Sequence, residues 1–178
     1  MTVLSARRMG AIRGSIRTVP DFPKKGILFR DITPLLAHQG HFRDCVRYFA
    51  SLAKGKVDAV VSIESRGFIF GSALAYALGV GFVPIRKQGK LPHKKSAVSY
   101  ALEYGSSVVE MHDDALARGS RVILIDDVLA TGGTVRAASR LVEQSGARIA
   151  GLYFLIELKG LKGRAKLGRR KVHSLLKF

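Results

Sequence analysis

Four stretches rich in branched apolar residues recur along this chain, and segments with helical spacing of apolar residues lie between them. Long apolar runs of this kind are typical of parallel strands that are buried on both faces. Because strand and helix alternate, the pattern predicts an α/β fold with a mostly parallel sheet flanked by helices. The predicted strands are residues 57–63, 80–85, 121–126 and 147–156, and the predicted helices are residues 41–53, 68–78 and 135–144.

One internal region departs from this alternation. Residues 96–111 contain short alternating runs around Gly105, which predicts a hairpin or an extended flap. The preceding residues 86–95 are polar and hold five Lys or Arg. A long polar connection in a compact domain is often a lid, so we expect a flap over about residues 86–111.

The first twenty residues contain four arginines and no acidic residue. This composition fits an organelle transit peptide, but it also fits a surface helix that ends before Pro20, and we expect the helix. No repeat or linker divides the chain, so we expect one domain over residues 1–178. The apolar side of the predicted helix holds Val3, Leu4, Ile12 and Ile16.

The most specific motif lies where the third predicted strand ends. Asp126 and Asp127 close that strand, and a small glycine-containing turn then opens a helix. Backbone N–H groups converge at such a turn and the helix dipole is positive there, which favours a phosphate. Carboxylates repel phosphate, so the two acids need other partners, such as sugar hydroxyls or Mg²⁺. The motif predicts a site for a phosphorylated sugar, rather than a plain helix cap. The turn consists of Ala130, Thr131, Gly132, Gly133 and Thr134.

Two further segments carry cations that suit a diphosphate. Arg66 follows the first predicted strand and opens a helix, where its guanidinium could donate two hydrogen bonds to a diphosphate or simply lie on the surface. The polar connection could enclose a polyphosphate leaving group and exclude water, or it could be a solvated run of charge. Its cations are Arg86, Lys87, Lys90, Lys94 and Lys95.

Residues 21–31 form an irregular segment, because Pro23 and Gly26 disfavour a regular helix. Exposed main chain beside Phe29 could hold a flat heterocycle by stacking and edge hydrogen bonds. A phenylalanine in the core explains the same pattern, and the pattern alone favours it.

The chain is strongly basic, with 30 Lys and Arg against 13 Asp and Glu in 178 residues and a formal net charge of +17. The excess is concentrated at both ends. A solvated surface, steering of polyanionic substrates and binding of nucleic acid are all consistent with it. The basic tail lacks interleaved aromatic residues, which makes nucleic-acid binding the less favoured of the three.

The remaining composition excludes several classes of protein. A single cysteine, Cys45, excludes an internal disulfide, which favours a reducing compartment such as the cytoplasm. No apolar run reaches the ~18 residues expected of a membrane span, so no membrane association is expected. The histidines show no spacing typical of a metal site.

Together these motifs resemble the type I phosphoribosyltransferases. Residues 122–134 are similar to the phosphoribosyl-diphosphate signature of that family, and the resemblance runs from about residue 20 to 176. Four further segments, residues 21–34, 65–71, 86–92 and 100–105, resemble the adenine-using members. The resemblance implies the family's fold, with a small N-terminal hood over about residues 1–34 and a mobile β-flap.

The same resemblance implies an activity. It implies an Mg²⁺-dependent pentosyltransferase that converts adenine and phosphoribosyl diphosphate to AMP and diphosphate, a purine-salvage reaction, as a cytoplasmic homodimer. The turn at residues 130–134 would hold the 5′-phosphate, and Asp126 and Asp127 would hold the ribose hydroxyls near the ion. Ser65 and Arg66 would lie in the diphosphate loop, where the family has a non-proline cis peptide, here between Glu64 and Ser65.

Other roles follow from the resemblance. Arg86, Lys87 and Lys90 would contact the diphosphate. Phe29 would stack on adenine, and the backbone of Leu28 and Arg30 would contact its edge. Glu103 and Tyr104 would close with the flap, and Glu103 would lie near the base nitrogen that loses a proton. Glu103 and Arg66 are thus the implied catalytic residues.

Two alternatives stay open at this point. One is a phosphoribosyltransferase for hypoxanthine, guanine or xanthine. The other is a nucleic-acid-binding regulator that keeps the fold and uses the sugar-phosphate site as a sensor. The basic ends of the chain favour the regulator, and the intact Glu103-Tyr104 pair argues against it.

Overall fold

The structure is a computed structural model that describes residues 4–53, 57–101 and 105–178. Packing divides the chain into two compact units, Met1–Leu52 and Ala53–Phe178. The expectation that the whole chain acts as one domain stays a prediction. Within the described ranges, none of the helices combines the length and apolar character needed to cross a bilayer.

The unit Met1–Leu52 combines a small antiparallel sheet with helices. Ser5 caps the first helix, because its side chain accepts a hydrogen bond from the Arg8 backbone N–H at 3.3 Å. The elements are α1 (Ala6–Gly14), β1 (Arg17–Pro20), β2 (Leu28–Asp31), α2 (Thr33–Ala37) and α3 (Gln39–Ala53), whose last residue belongs to the second unit. The buried apolar residues include Leu4, Ile12, Ile16, Ile32, Leu35, Cys45, Val46 and Phe49.

The helix predicted near the amino terminus is shorter than expected. It ends at Gly14, and Arg17–Pro20 form a strand instead of continuing the helix to Pro20. The strand has a partner that the local pattern does not reveal, because β2 lies antiparallel to it with Val19 opposite Phe29. Leu4, Ile12 and Ile16 are buried as predicted, and Val3 lies outside the described residues.

The unit Ala53–Phe178 contains a seven-stranded sheet. The strand order is β5-β6-β4-β3-β7-β8-β9. The run from β4 to β9 is parallel, and β6 is antiparallel to both β4 and β5, so the predicted mostly parallel sheet is confirmed. The elements are β3 (Ala59–Ile63), α4 (Arg66–Leu78), β4 (Gly81–Lys87), β5 (Lys95–Ala101), β6 (Ser106–His112), β7 (Arg121–Leu129), α5 (Gly133–Gln144), β8 (Arg148–Glu157) and β9 (Val172–Lys177).

Helices cover both faces of this sheet. Val61 and Leu124 belong to the buried cluster that also contains Leu141 of α5. The next residue of β3, Ser62, faces α4, because a Cβ added at Gly71 of α4 would lie 2.5 Å from the Ser62 Cβ. Since successive strand residues point to opposite faces, α4 and α5 lie on opposite sides of the sheet.

All seven strands and helices predicted from apolar spacing are present, with ends shifted by up to three residues. The predicted hairpin is also confirmed, since β5 and β6 pair from Lys95↔His112 to Ala101↔Ser106. The pattern did not identify β9. Its residues lie in the basic tail, and β8 alone supplies its hydrogen-bonding partner at that edge.

An ion pair fixes the last connection of the chain to the sheet. Two short 3-10 turns, Lys159–Leu161 and Gly163–Leu167, join β8 to β9. Arg164 donates to both carboxylate oxygens of Glu157, at 2.9 Å and 2.6 Å, and to the Val172 carbonyl at 3.1 Å. Hydrogen bonding from Arg164 lowers the pKa of Glu157 to about 2. The second turn is therefore tied to both neighbouring strands.

We expect Glu157→Gln to lower the free energy of unfolding by about 1–3 kcal/mol at neutral pH, because a charge-assisted bidentate contact is lost. The folded-state pKa is lowered, so this contribution is present above the ordinary carboxyl pKa and disappears as the pH falls toward about 2. Urea titrations of the parent and the variant over an acidic pH series measure the difference, which should shrink with decreasing pH.

Glu143→Gln is the matched control for that experiment. Glu143 also pairs with an arginine, Arg170, at 2.7 Å, but its side chain is 45% exposed. An exposed pair contributes less than about 1 kcal/mol, so the control should lose little stability. Equal losses in the two variants, or a difference that does not change with pH, would contradict the assignment.

Candidate active site

A cleft of about 300 Å³ lies at the carboxyl edge of the sheet in the unit Ala53–Phe178. Strands β3 and β7 are parallel neighbours, so the residues that follow them meet at one edge, where ligands bind in open α/β sheets. The lining residues are Ile63, Glu64, Ser65, Arg66, Lys87, Tyr100, Val109, Asp126, Asp127 and Thr134.

The acid pair lies within β7 and not at its end. The strand continues to Leu129, because β8 supplies partners as far as the pair Leu129↔Glu157. The prediction that the carboxylates terminate the strand is therefore wrong, because the strand continues for two residues beyond Asp127. Ladder hydrogen bonds from a neighbouring strand outweigh the local preference of two adjacent acids.

Burial dominates the electrostatics of this pair. The Asp127 N–H donates to Asp126 Oδ1 at 2.9 Å, and Arg66 Nε lies 2.7 Å from Asp127 Oδ2. Burial raises the pKa of Asp126 well above its ordinary value, and the charge of Asp127 raises it further. Burial also raises the pKa of Asp127, against the opposing effect of Arg66. Ionising both acids is costly unless cations or hydroxyl donors approach them.

A close contact between α4 and β3 positions this arrangement. A Cβ added at Gly67 would lie 2.5 Å from Asp126 Oδ1 and 3.1 Å from Ser62 Oγ. Ser62 in turn donates to the Ile125 carbonyl at 2.9 Å, which joins β3 to β7 directly below the acid pair. Glycine at position 67 is therefore what allows the start of α4 to approach the carboxylates.

The turn from β3 into α4 contradicts one expectation. The only cis peptide bond among the described residues joins Phe22 to Pro23, so the predicted cis bond between Glu64 and Ser65 is wrong. The chain reverses here through Ser65, whose φ of 85° and ψ of −122° are rare for a residue with a side chain. The Ser65 backbone conformation therefore directs the chain from β3 into α4.

Glu64 ties this turn to the end of β4. It accepts hydrogen bonds from the Lys87 N–H at 2.8 Å and from Arg86 Nη2 at 3.3 Å. The Lys87 N–H holds the pKa of Glu64 below its usual value, and Arg86 contributes in the same direction. Arg86 also donates to the Lys90 carbonyl at 3.3 Å. Of the three cations predicted to contact the diphosphate, Lys87 lines the cleft, whereas Arg86 and Lys90 do not.

The predicted phosphate turn opens α5 as expected. Gly132 precedes the helix with a φ of +79°, and no side chain caps the first turn. The first N–H groups of a helix have no partner within it, so they are available to an anion. At the end of β5, Ala101 O and Tyr100 Cδ2 approach Gly133 so closely that a Cβ there would lie 3.4 Å and 3.5 Å from them. The hairpin therefore covers the start of the helix.

Gly163 supports this turn by a contact between backbones, and the sequence analysis did not identify it. A Cβ added at Gly132 would lie 2.5 Å from the Gly163 carbonyl oxygen, and one added at Gly163 would overlap the Ala130 carbonyl oxygen. The two backbones are thus in direct contact. The neighbouring Arg164 is the residue held by Glu157, so the support is fixed to the sheet. Gly163 lies about thirty residues from the turn, and only the fold brings them together.

The segment predicted to hold a base belongs to the unit Met1–Leu52. Leu28 is 56% exposed, and Phe29 is half-buried with its ring 5.0 Å from that of Phe22 at 71°. The core position that the pattern alone favoured for Phe29 is therefore wrong. Arg30 donates to Thr18 Oγ1. The contact of Leu28, Phe29 and Arg30 with a base stays a prediction, and Glu103 and Tyr104 lie outside the described residues.

Comparisons with known proteins identify the family. Residues 32–173 match the model of the phosphoribosyl transferase domain. Adenine phosphoribosyltransferase of Anaeromyxobacter dehalogenans is 55% identical over 96% of this chain and 99% of its own length. The chain belongs to the adenine phosphoribosyltransferase family. The resemblance, the fold class and the enzyme class predicted from the sequence are thereby confirmed.

Solved structures of the family agree with this fold. The Thermoanaerobacter pseudethanolicus adenine phosphoribosyltransferase superposes with a TM-score of 0.93 at 48% identity, covering 96% of this chain and 99% of that one. The Saccharomyces cerevisiae enzyme, complexed with an imino-altritol bisphosphate and adenine, has a TM-score of 0.92 at 42% identity, covering 97% of this chain and all of that one.

We expect Gly163→Ala to raise the KM for phosphoribosyl diphosphate by at least about tenfold and to lower stability by about 1–3 kcal/mol, because the new methyl group displaces the turn at Ala130 and Gly132. Steady-state kinetics and thermal unfolding measure the two effects. Gly160→Ala is the control, since no atom lies within 4 Å of a Cβ there. Identical KM values for the two variants would show that Gly163 does not position the phosphate turn.

Proposed function

We propose that this chain transfers the 5-phosphoribosyl group of phosphoribosyl diphosphate to adenine, giving AMP and diphosphate in purine salvage. The observation that carries the proposal is the cleft in which a buried acid pair, an arginine and an uncapped helix start converge. A phosphorylated sugar offers hydroxyls and a phosphate at the matching positions. The Anaeromyxobacter relative is an adenine phosphoribosyltransferase and the yeast enzyme is complexed with adenine, which supports adenine as the base.

We assign the sugar to the acid pair and the turn beside it. Asp126 and Asp127 accept hydrogen bonds from the ribose hydroxyls, because carboxyl oxygens are good acceptors and the hydroxyls lower the cost of ionising them. The 5′-phosphate lies at the start of α5, where Gly132 and Gly133 permit close approach of the backbone. Thr131 and Thr134 add hydroxyl donors, and Ala130 completes the turn.

We assign the diphosphate to the turn after β3 and to the basic connection. Ser65 and Arg66 start α4, and the Arg66 guanidinium, placed by Asp127, can donate two hydrogen bonds to phosphate oxygens. Lys87 lines the same cleft, so it supplies a further positive charge. Arg86 reaches the leaving group only if it exchanges its contacts with Glu64 and the Lys90 carbonyl for the diphosphate. Lys90 approaches the leaving group when the flap closes.

The base completes the proposed site. Phe29 stacks on adenine, while backbone groups of Leu28 and Arg30 bind its edge. Tyr104 closes over the substrates with the flap, and Glu103 accepts the proton that the base loses. Water is excluded when the flap closes, which protects the activated sugar from hydrolysis.

The acid pair also fits a magnesium ion carried with the substrate. Magnesium keeps several waters and uses one or two carboxylates together with substrate phosphates. Asp126 and Asp127 are two such carboxylates, and a nearby cation would offset the cost of ionising both in a buried position. Within the described ranges, no three His, Cys, Asp or Glu residues group together as a complete protein site. When bound, the ion supplies positive charge to the diphosphate.

The chemical step depends chiefly on positioning and electrostatics. The bond between C1 of the sugar and the diphosphate oxygen breaks, and the diphosphate leaves with the electron pair. The base nitrogen forms the new bond to C1 as its proton passes to Glu103. Arg66 and Lys87 stabilise the charge that develops on the leaving group, and the acid pair holds the ribose in line.

We propose a cytoplasmic enzyme, because a chain whose single cysteine, Cys45, forms no internal disulfide is typical of a reducing compartment. We propose a homodimer on the resemblance to the family alone.

We expect Glu103→Gln to lower kcat by at least about a hundredfold while the Kd for phosphoribosyl diphosphate changes little, because the amide cannot take the proton but preserves the shape. Stopped-flow turnover and equilibrium binding measure the two quantities. Equal turnover by parent and variant would remove Glu103 from the mechanism.

We expect phosphoribosyl transfer with adenine and none with hypoxanthine, guanine or xanthine, when the four bases are assayed in parallel with phosphoribosyl diphosphate and Mg²⁺. A base pocket formed by backbone groups discriminates the amino group from a carbonyl, because the wrong group leaves a buried donor or acceptor unpaired. Transfer to one of the other bases would reassign the substrate, and no transfer to any base would overturn the proposed function.

A further inference from the structure

Three adjoining hollows on the unit Ala53–Phe178 are lined by positive charge. The first, of about 250 Å³, lies beside the start of α5, and the second, of about 480 Å³, shares three of its cations. The third, also of about 480 Å³, shares Arg170 with the second and reaches the amino-terminal edge of β7 and β8. We call their eight cations the basic band: Arg121, Arg136, Arg140, Arg148, Lys166, Arg169, Arg170 and Lys171.

The basic band has little compensating charge. The only carboxylate that lines the three hollows is Glu143, and it already pairs with Arg170. Asp58 lies beside Arg121, where it accepts a hydrogen bond from the backbone N–H at 2.7 Å. In the part of the chain that the structure describes, the seven other cations of the band form no ion pair within 4.0 Å.

Packing against the hydrophobic core does not explain the positions of these cations either. Helix α5 buries Val135, Leu141 and Val142 against the sheet, while Arg136 and Arg140 point outward one turn apart. Arg148 is likewise exposed at the start of β8. Repulsion among unpaired cations destabilises the folded chain, so their grouping along one continuous surface calls for an anionic partner.

The shape of the band indicates which anion it fits. It extends alongside α5, which is about 18 Å long, and continues beyond it, so it suits a repeating anion rather than a single phosphate. A second copy of this chain that met the band with its own band would be repelled, so the proposed homodimer pairs through another surface. Tyr100 is the one aromatic residue that lines the hollows, so stacking of unpaired bases has no platform along most of the band.

We propose that the basic band binds the phosphodiester backbone of double-stranded nucleic acid without reading its sequence. A duplex presents one negative charge per about 1.7 Å, so several neighbouring phosphates can meet the band at once. None of the eight cations lines the cleft of the active site. The first hollow shares Tyr100 with that cleft and Gly133 with the proposed phosphate turn, but the eight cations of the band take no part in phosphoribosyl transfer. The proposal therefore does not depend on the proposed function.

The test measures affinity for a fluorescent duplex of about 20 base pairs by anisotropy over a series of salt concentrations. If the band contacts about five phosphates, the plot of log K against log salt has a slope of about −4.5. The triple variant Arg140→Gln, Arg148→Gln, Lys171→Gln should bind more weakly and lose about 3 from the magnitude of that slope. Circular dichroism and thermal unfolding check that the variant is folded.

The matched control removes the same charge from the unit Met1–Leu52. Arg7→Gln, Arg43→Gln, Arg47→Gln replaces three exposed arginines outside the band, and its slope should stay close to that of the parent. Equal losses in the two triple variants, stronger binding to single-stranded DNA than to duplex, or band-dependent binding to anionic vesicles but not to duplex would each overturn the proposal.

Discussion

The contact between two backbones, at Gly132 and Gly163, is the constraint on which the rest of the site depends. Neither position tolerates a Cβ, because each would meet a main-chain oxygen of the other segment. The contact fixes the direction in which the chain enters α5, and with it the direction of the free N–H groups. Arg164 and Glu157 then fix the support itself to β8 and β9. A phosphate site made of backbone needs this rigidity, since no side chain can adjust to correct it.

A second close approach, at Gly67, places the opposite side of the cleft. The start of α4 reaches the carboxylates because glycine leaves room for Asp126 Oδ1. Arg66 then contacts Asp127, and the acid pair is held in a buried position that raises its pKa values. Burial makes both acids costly to ionise, and the proposed substrate brings the hydroxyls and the cation that lower this cost. The cleft by itself thus disfavours the ionised form of the two acids, and binding of the proposed substrate would favour it.

Charge is distributed differently over the rest of the second unit. At the cleft, cations and carboxylates lie side by side, since Arg66 pairs with Asp127 and the neighbouring Arg86 pairs with Glu64. Along the basic band, cations follow one another with a single carboxylate among them. The proposed transferase reaction uses the paired charges of the cleft and does not use the cations of the basic band. We therefore assign the basic band to a separate partner.

The sequence by itself was enough to predict the strands and helices whose apolar spacing is regular. It was also enough to predict the phosphate turn that follows the acid pair. Both predictions depend only on residues that are close together in the chain. It could not determine β1 or β9, whose hydrogen-bonding partners lie elsewhere in the chain. The cis bond between Glu64 and Ser65 that the resemblance implied is absent, and Ser65 instead has a φ of 85°. Gly163 and the basic band depended on tertiary structure alone. A contact between backbones leaves no periodic signal, and cations scattered from Arg121 to Lys171 form one surface only when β7, α5, β8 and the turn before β9 are packed together.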